Sequence, residues 1–290
     1  MSQDWYNKNY KKMLLIPVII FLVCLIYLIF FYNTHGDLIY RDVSLSGGTT
    51  ITLQGDYNQA SLERDLSSRL PDVQVRTVGD LSTGKQIALI ISTSAQPEDL
   101  SKAIEDSLNI QLTEKNSNTE FSGPALGGNF YRQLLISLII SFALMSIVVF
   151  FLFRTFIPSI AVIFAAFADI VMPLALLNFL EIKISAAGIA AFLMLIGYSV
   201  DTDILLTTRV LKKREGTVNQ RIYSSFKTGI FMTLTALLAV LPAFFIVTGL
   251  PDSFRQIFLI LAIGLFADII NTWLTNASII KWYAEAKKIN

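Results

Sequence analysis

Six apolar runs, separated by polar stretches, dominate the pattern of the chain. The runs lie at about residues 13–32, 133–153, 157–180, 184–208, 226–247 and 256–280. Each is close to the roughly 20 apolar residues that an α-helix needs to cross the hydrocarbon core of a bilayer. The pattern therefore predicts six transmembrane helices. The first is expected to be a retained anchor, because it is longer than the apolar part of a usual signal peptide and lacks a small-residue cleavage site.

Lysine and arginine are distributed unequally between the two sides that six spans define. With six spans both termini share a side, and the basic residues of that side are Lys8, Lys11, Lys12, Arg154, Arg209, Lys212, Lys213, Arg214, Arg221, Lys227, Lys281, Lys287 and Lys288. The short loops of the opposite side offer only Lys183 and Arg255. Because basic residues concentrate in cytoplasmic loops, both termini (1–12 and 284–290) are predicted to be cytoplasmic in a multi-pass protein of the cytoplasmic membrane.

The long polar segment, residues 33–131, is then predicted to be an extracytoplasmic domain, inserted before a five-helix bundle at 132–283. Residues 49–54, 73–78, 87–91 and 119–121 favour strands. Residues 61–70 and 97–108 favour amphipathic helices. The order β-α-β-β-α-β predicts a ferredoxin-like α+β domain on an all-α membrane bundle. Before the first strand, Gly47 and Gly48 indicate a tight turn or a hinge.

Composition excludes several classes of function. The chain is 53% hydrophobic and has a formal net charge of +1, so it offers neither a nucleic-acid-binding stripe nor an acidic tail. Cys24 is the single cysteine and His35 the single histidine, which leaves no material for a disulfide, a Cys/His metal centre or a Ser-His-Asp triad. We therefore expect no enzyme, no catalytic residues, no metal and no cofactor.

Acidic residues inside the apolar runs are the candidate functional groups. A carboxylate at bilayer depth costs about 3 kcal/mol, so it usually faces a bundle interior and marks an ion or proton path. Asp169 lies in the third run, and Asp201 and Asp203 lie in the fourth. Two positions on a helix are about 200° apart, so Asp201 and Asp203 cannot face the same cavity. Asp169 is alternatively a structural contact between helices, and Asp203 an interfacial partner of Arg209 or Lys213.

Two further charges offer partners of both signs. Lys227 stands at the start of the fifth run, where a snorkelling side chain is the simpler explanation. Asp268 lies in the sixth run, and we interpret it as a packing or helix contact because its sequence context holds no second ionisable group.

A family resemblance rests on the fourth run. It reads Ile-Ala-Ala-Phe-Leu-Met-Leu-Ile-Gly-Tyr-Ser from Ile189 to Ser199, followed by the acidic pair and Arg209. This stretch resembles the fourth-span signature of the SecF family of protein-export membrane proteins. Weaker matches fall in the same order at 45–49 (Leu-Ser-Gly-Gly-Thr), at 122–124 (Ser-Gly-Pro) and at Asp169, so the resemblance covers nearly the whole chain.

The resemblance implies half of an assembly of the resistance-nodulation-division type, with a SecD-like subunit as the other half. It further implies a SecY-type channel, a translocating polypeptide and the lipid bilayer as partners, and proton-gradient-driven protein export. Half of a small-molecule or lipid exporter of the same superfamily and a non-transporting scaffold are the alternatives.

Site residues follow from the resemblance with some departures. Bacterial members read Gly-Tyr-Ser-x-Asn-Asp-Thr, so Asp201 falls on their Asn, Thr202 on their Asp and Asp203 on their Thr. Lys227 takes the place of an Arg. The spacing around Asp201 instead resembles the sister subunit SecD, and archaeal-type members look closer to this form. Asp201 is therefore ranked first as proton carrier, Asp203 second and Asp169 third. The supporting residues are Tyr198, Ser199, Thr202, Lys227 and Arg209.

Overall fold

The computed structural model describes residues 9–79, 85–213, 216–246 and 252–289. Within these ranges, six helices are long and apolar enough to cross a membrane. They are Asn9–His35, Gly127–Phe153, Phe156–Phe179, Ala186–Lys212, Val218–Ala243 and Arg255–Ala286. Each overlaps one of the six apolar runs of the sequence. The fifth begins at Val218 rather than at residue 226, because its first turns are polar and carry no hydropathy signal.

The elements alternate between a small sheet and a helical bundle. The helices are α1 (Leu15–His35), α2 (Val43–Ser46), α3 (Gln59–Arg69), α4 (Pro97–Leu108), α5 (Pro124–Phe153), α6 (Phe156–Phe179), α7 (Ala186–Lys212), α8 (Val218–Ile246), α9 (Asp252–Ile270) and α10 (Ala277–Ala286). The strands are β1 (Gly48–Gln54), β2 (Gln74–Gly79), β3 (Gln86–Thr93) and β4 (Ser117–Ser122). A π-helical segment, Asn271–Asn276, joins α9 to α10, and these three pieces belong to the sixth span.

The segment between the first two spans holds an antiparallel sheet with the strand order β2-β3-β1-β4. Alternate residues such as Ile51, Leu89 and Ile91 point to one face of the sheet, where they are fully buried with Leu66 and Ile104 of the helices α3 and α4. The apolar side chains that recur every two residues in the strands and every four residues in the helices thus pack into one core. The predicted order of strands and helices is confirmed, and α2 is an additional short helix.

Gly47 forms a tight turn between α2 and β1, and Gly48 is the first residue of β1. Their φ angles are 82° and 144°, a region that favours glycine. A Cβ on Gly48 would lie 2.2 Å from the backbone oxygen of Thr93, and a Cβ on Gly127 would lie 2.6 Å from the backbone nitrogen of Gly47. The chain is therefore closely packed here on both sides, and a hinge role for the two glycines stays a prediction.

The centre of the bundle is formed by the third, fourth and sixth spans. Their most apolar windows are 67%, 56% and 56% buried, against 6% for the second span. Gln256 ties two of them together at one end, because its Oε1 accepts hydrogen bonds from the backbone nitrogen and the hydroxyl of Ser185, the N-cap of α7. Further along, Gly264 of α9 faces Leu195 of α7 so closely that a Cβ would lie 2.3 Å from the leucine. Polar side chains on these three spans can therefore meet inside the bundle.

Candidate functional site

Three carboxylates lie buried where the central spans meet. Asp169 belongs to α6, Asp203 to α7 and Asp268 to α9, and none of the three side chains is more than 1% exposed. The three residues are far apart in the sequence but share one continuous set of hydrogen bonds, described below, which we call the carboxylate network.

Asp169 occupies one end of the carboxylate network. Its Oδ2 accepts a hydrogen bond from the hydroxyl of Ser199 on α7, and its Oδ1 accepts one of 2.6 Å from Nδ2 of Asn271 in the π-helical segment. Both donors are themselves fully buried. Asp169 therefore joins all three central spans, and Ser199, a predicted supporting residue, lies in the network.

Asp203 and Asp268 share a single hydroxyl group. Oγ1 of Thr272 lies 2.9 Å from Oδ1 of Asp203 and 3.0 Å from Oδ1 of Asp268. Asp268 is also 3.0 Å from the hydroxyl of Thr202, and Asp203 accepts a hydrogen bond of 2.7 Å from Nδ2 of Asn276. Oδ2 of Asp203 is buried and has no hydrogen-bond partner among the residues that the structure describes.

The π-helical segment explains how the sixth span supplies so many of these groups. Asp268, Thr272 and Asn276 follow one another at intervals of four residues, and on an α-helix each interval displaces the side chain by about 40° around the axis. A π-helix closes i→i+5 hydrogen bonds, so its turns are wider and a step of four residues comes nearer to a full turn. Thr272 and Asn276 can consequently both reach Asp203.

Within the described ranges of the chain, no positive charge compensates the carboxylate network. Among the residues that the structure describes, no lysine or arginine pairs with Asp169, Asp203 or Asp268, and every donor to them is a neutral hydroxyl or amide. Within the same residues no group of three or more His, Cys, Asp or Glu could hold a metal ion. The three carboxyl groups can therefore bind, release and share protons, with neutral hydroxyl and amide groups as their hydrogen-bond partners.

Asp201 lies outside the carboxylate network. It is exposed on the opposite side of α7, together with Tyr198, whose side chain is 53% exposed. The expectation that Asp201 and Asp203 face different sides is confirmed. Asp203 rather than Asp201 is the residue that faces the bundle interior.

The basic residues proposed as partners also lie elsewhere. Arg209 donates hydrogen bonds to the backbone oxygen of Ser224 and to Oγ1 of Thr228, so the alternative that paired Asp203 with Arg209 at the interface is wrong. Lys213 begins the loop after α7 and does not reach Asp203 either. Lys227 is exposed on α8. It contributes no contact to the network.

Several members of the network were not among the residues selected from the sequence. Asp268, interpreted as a packing or helix contact, lies near two carboxylates that are distant in sequence. Asn271, Thr272 and Asn276 are not among the predicted residues. The signal was present: the sixth apolar run carries polar residues at 268, 271, 272, 275 and 276, the three- and four-residue spacing of one helix face.

Comparison with known proteins gives consistent results. Residues 102–286 match the family profile described as "Protein export membrane protein SecD/SecF, C-terminal". The SecF protein of Methanothermobacter thermautotrophicus is 35% identical over 98% of this chain and 96% of its own length. The SecF protein of Methanocaldococcus jannaschii is 35% identical over 97% of this chain and 99% of its own length.

A solved structure shows the same fold. The crystal structure of SecDF from Thermus thermophilus, described as a translocon-associated membrane protein, aligns with a TM-score of 0.73 at 18% identity. It covers 96% of this chain, whereas this chain spans only 38% of the length of that SecDF chain. Taken with the profile match and the archaeal relatives, the chain belongs to the SecF family of protein-export membrane proteins.

Proposed function

We propose that the chain acts with a SecD-like subunit to promote protein export across the cytoplasmic membrane, and that the carboxylate network couples this export to the proton gradient. The observation that carries the proposal is the meeting of Asp169, Asp203 and Asp268 inside the bundle, where no lysine or arginine among the described residues pairs with them. The relatives are named protein-export membrane proteins, which supports the export of proteins over the export of small molecules.

The hydroxyl of Thr272 indicates how protons are held. A hydroxyl has one proton to donate and two lone pairs to accept. Thr272 contacts a carboxylate oxygen on each side, so with both carboxylates ionised one of the two contacts would set oxygen lone pairs against each other. One added proton removes the conflict: one carboxyl group donates to Thr272, and Thr272 donates to the other carboxylate. The geometry therefore fits a single proton shared by Asp203 and Asp268.

Asp169 adds a third carboxylate that is linked to this pair by hydrogen bonds. The hydroxyl of Ser199 donates a hydrogen bond to Asp169, and the backbone oxygen of Ser199 accepts one from the hydroxyl of Thr202. The same Thr202 hydroxyl also contacts Asp268. A change of protonation at one carboxylate thus alters the hydrogen bonds of both neighbouring spans. We infer that Asp203, Asp268 and Asp169 carry protons, in place of the first rank given to Asp201 from the sequence.

The free energy available is sufficient for a conformational cycle. Moving one elementary charge across 100 mV releases about 2.3 kcal/mol. Each hydrogen bond to a charged group contributes about 1.5–3 kcal/mol, so one proton per step can exchange the bonding pattern of the network. The chemistry needed of this chain is proton binding and release, without a cofactor or a covalent intermediate.

The remaining architecture is proposed as follows. The strand order β2-β3-β1-β4 with antiparallel neighbours supports a ferredoxin-like description of the domain at about residues 33–131. The unequal distribution of lysine and arginine supports cytoplasmic termini and an extracytoplasmic sheet. A SecY-type channel and the translocating polypeptide would be the further partners of the complex. The similarity to 38% of the SecDF chain supports a SecD-like subunit as the missing half.

Charge-neutral substitutions test the proposal. In membrane vesicles that contain the channel, the SecD-like subunit and this chain, Asp203→Asn and Asp268→Asn should each abolish the stimulation of export by an imposed proton gradient. Asp99→Asn, an exposed carboxylate of α4, is the matched control and should leave that stimulation unchanged. A scaffold that only stabilises its partners would tolerate all three substitutions.

A further inference from the structure

The segment that leads from α1 to the sheet lies against the loop between α6 and α7. We call this segment, residues 37–47, the stem. The backbone nitrogen of Asp42 donates a hydrogen bond of 3.0 Å to the oxygen of Ile184, and the nitrogen of Ile184 donates one of 2.7 Å to the oxygen of Tyr40. The two bonds form a parallel β-bridge between the stem and the loop. Because such main-chain bonds have a fixed geometry, they hold the stem in register with the loop.

Two side chains of the bundle hold the stem at further points. Nδ2 of Asn178, near the end of α6, donates a hydrogen bond of 2.8 Å to the backbone oxygen of Leu38. The hydroxyl of Tyr131 on α5 donates one of 2.6 Å to Oδ1 of Asp37. The stem is therefore attached to the second span, to the third span and to the loop that leads into the fourth.

Apolar packing makes the stem part of the bundle. Ile39 and Leu45 of the stem are 6% and 0% exposed, and they belong to the same apolar core as Leu177 of α6. The end of the stem is packed on α5, where a Cβ on Gly127 would overlap the backbone of Gly47. Close-packed interiors transmit a displacement and deform little. The stem thus has the packing of a core element, which a flexible linker lacks.

Asp42 connects the stem to the sheet. Its Oδ1 accepts a hydrogen bond of 2.6 Å from the backbone nitrogen of Val43 and caps α2, and its Oδ2 lies 3.9 Å from Nη1 of Arg76 on β2. A cleft of about 410 Å³ lies between β2 and the loop that joins α6 to α7. A sheet that the stem did not hold would therefore have room to tilt.

We propose that the stem makes α6, α7 and the sheet with its helices α3 and α4 one rigid body, so that the sheet follows the two spans that carry Asp169 and Asp203. This inference rests on the proposed function, in which those carboxylates bind and release protons. The loop between α6 and α7 is the shared element, because its backbone binds the stem and its ends continue into both spans. Gly47 and Gly48 then form a packed joint in place of the predicted hinge.

A distance measurement in the assembled complex tests the rigid body. With Cys24→Ser as background, spin labels on Asp99→Cys of α4 and Leu180→Cys at the end of α6 report the distance between the sheet and the third span, and both positions are exposed. When a pH gradient is imposed, the distance should change by no more than about 2 Å, the size of a helix shift. A larger change, or a second distance, would overturn the proposal.

An insertion that loosens the joint tests what the stem transmits. Gly-Gly-Ser inserted between Gly47 and Gly48 should broaden the distance distribution and lower gradient-driven export at least about tenfold, while the SecD-like subunit stays bound. The same insertion between Glu114 and Lys115, in an exposed turn before β4, is the matched control and should change neither quantity. Export at the wild-type rate together with a broadened distance would show that the sheet need not follow the spans.

Failure of the rigid body and failure of the proposed function are distinguishable. If an imposed gradient does not stimulate export by the wild-type complex, the proposed function fails. The label distance does not depend on export, so a narrow distribution in the wild type that broadens with the insertion at Gly47 would still support the rigid body. A broad or split distribution in the wild type would overturn it even where the gradient stimulates export.

Discussion

Thr272→Val is the substitution that probes the carboxylate network most selectively. Valine has nearly the shape of threonine, so the change removes the hydroxyl and leaves the packing of the π-helical segment in place. The hydroxyl makes contacts of 2.9 Å and 3.0 Å to the carboxylates of Asp203 and Asp268. Each carboxylate keeps another donor, Asn276 for Asp203 and Thr202 for Asp268, so the fold should survive.

The size of the effect follows from the two lost contacts. A hydrogen bond to a charged group contributes about 1.5–3 kcal/mol and one between neutral groups about 1 kcal/mol. With one carboxylate ionised and one protonated, the two lost hydrogen bonds together destabilise the shared-proton state by about 2.5–4 kcal/mol. Since about 1.4 kcal/mol corresponds to a factor of ten, the population of that state should fall roughly 60-fold to several hundred-fold.

The assay is gradient-driven export by vesicles that contain the assembled complex. Thr272→Val should lower the gradient-dependent rate at least about tenfold, and Thr272→Ser, which restores the hydroxyl, should recover most of it. Thr275→Val is the matched control, because Thr275 is equally buried in the same segment but its Oγ1 has no hydrogen-bond partner in the described part of the chain. Equal rates for Thr272→Val and Thr275→Val would refute the role of the shared hydroxyl.

Three further substitutions test the fold by thermal unfolding of the purified protein in detergent. Gly264→Ala should destabilise by about 1–3 kcal/mol, because its Cβ would overlap the fully buried Leu195, and Leu195→Ala in the same chain should recover part of the loss. Gly48→Ala should cost about 1–3 kcal/mol through its φ of 144° and the nearby Thr93 oxygen. Leu89→Ala should cost about 2–5 kcal/mol in the sheet core. Unchanged unfolding temperatures would contradict the packing described for each site.

The spans and the sheet were predictable because each obeys a strong physical constraint. A helix in lipid must bury all its backbone polar groups within itself and present about 20 apolar residues, which leaves a plain signal in the sequence. The sheet shows its two-residue period in β1 and β3, where one face is buried on α3 and α4. These patterns depend only on neighbours in the sequence.

The site was predicted only in part because its contacts are distant in the sequence. Both faces of α7 carry polar groups, Tyr198 with Asp201 on one and Ser199 with Asp203 on the other, so the sequence did not decide which face is buried. Packing against α6 and the sixth span decides it. The place of Asp268 in the network depends on contacts with residues of other helices, which its own sequence context does not show. The π-helical turn has no counterpart in the hydropathy pattern.

The most direct test of the central claim is proton binding by the purified complex. Proton release and uptake would be followed with a pH indicator as the complex, reconstituted in liposomes, is exposed to an imposed pH gradient. Wild type and Asp99→Asn should move protons into the network, whereas Asp203→Asn and Asp268→Asn should each lose that signal while the SecD-like subunit remains bound. Proton uptake by the double substitution Asp203→Asn/Asp268→Asn equal to that of wild type would contradict the claim that these buried carboxylates couple export to the gradient.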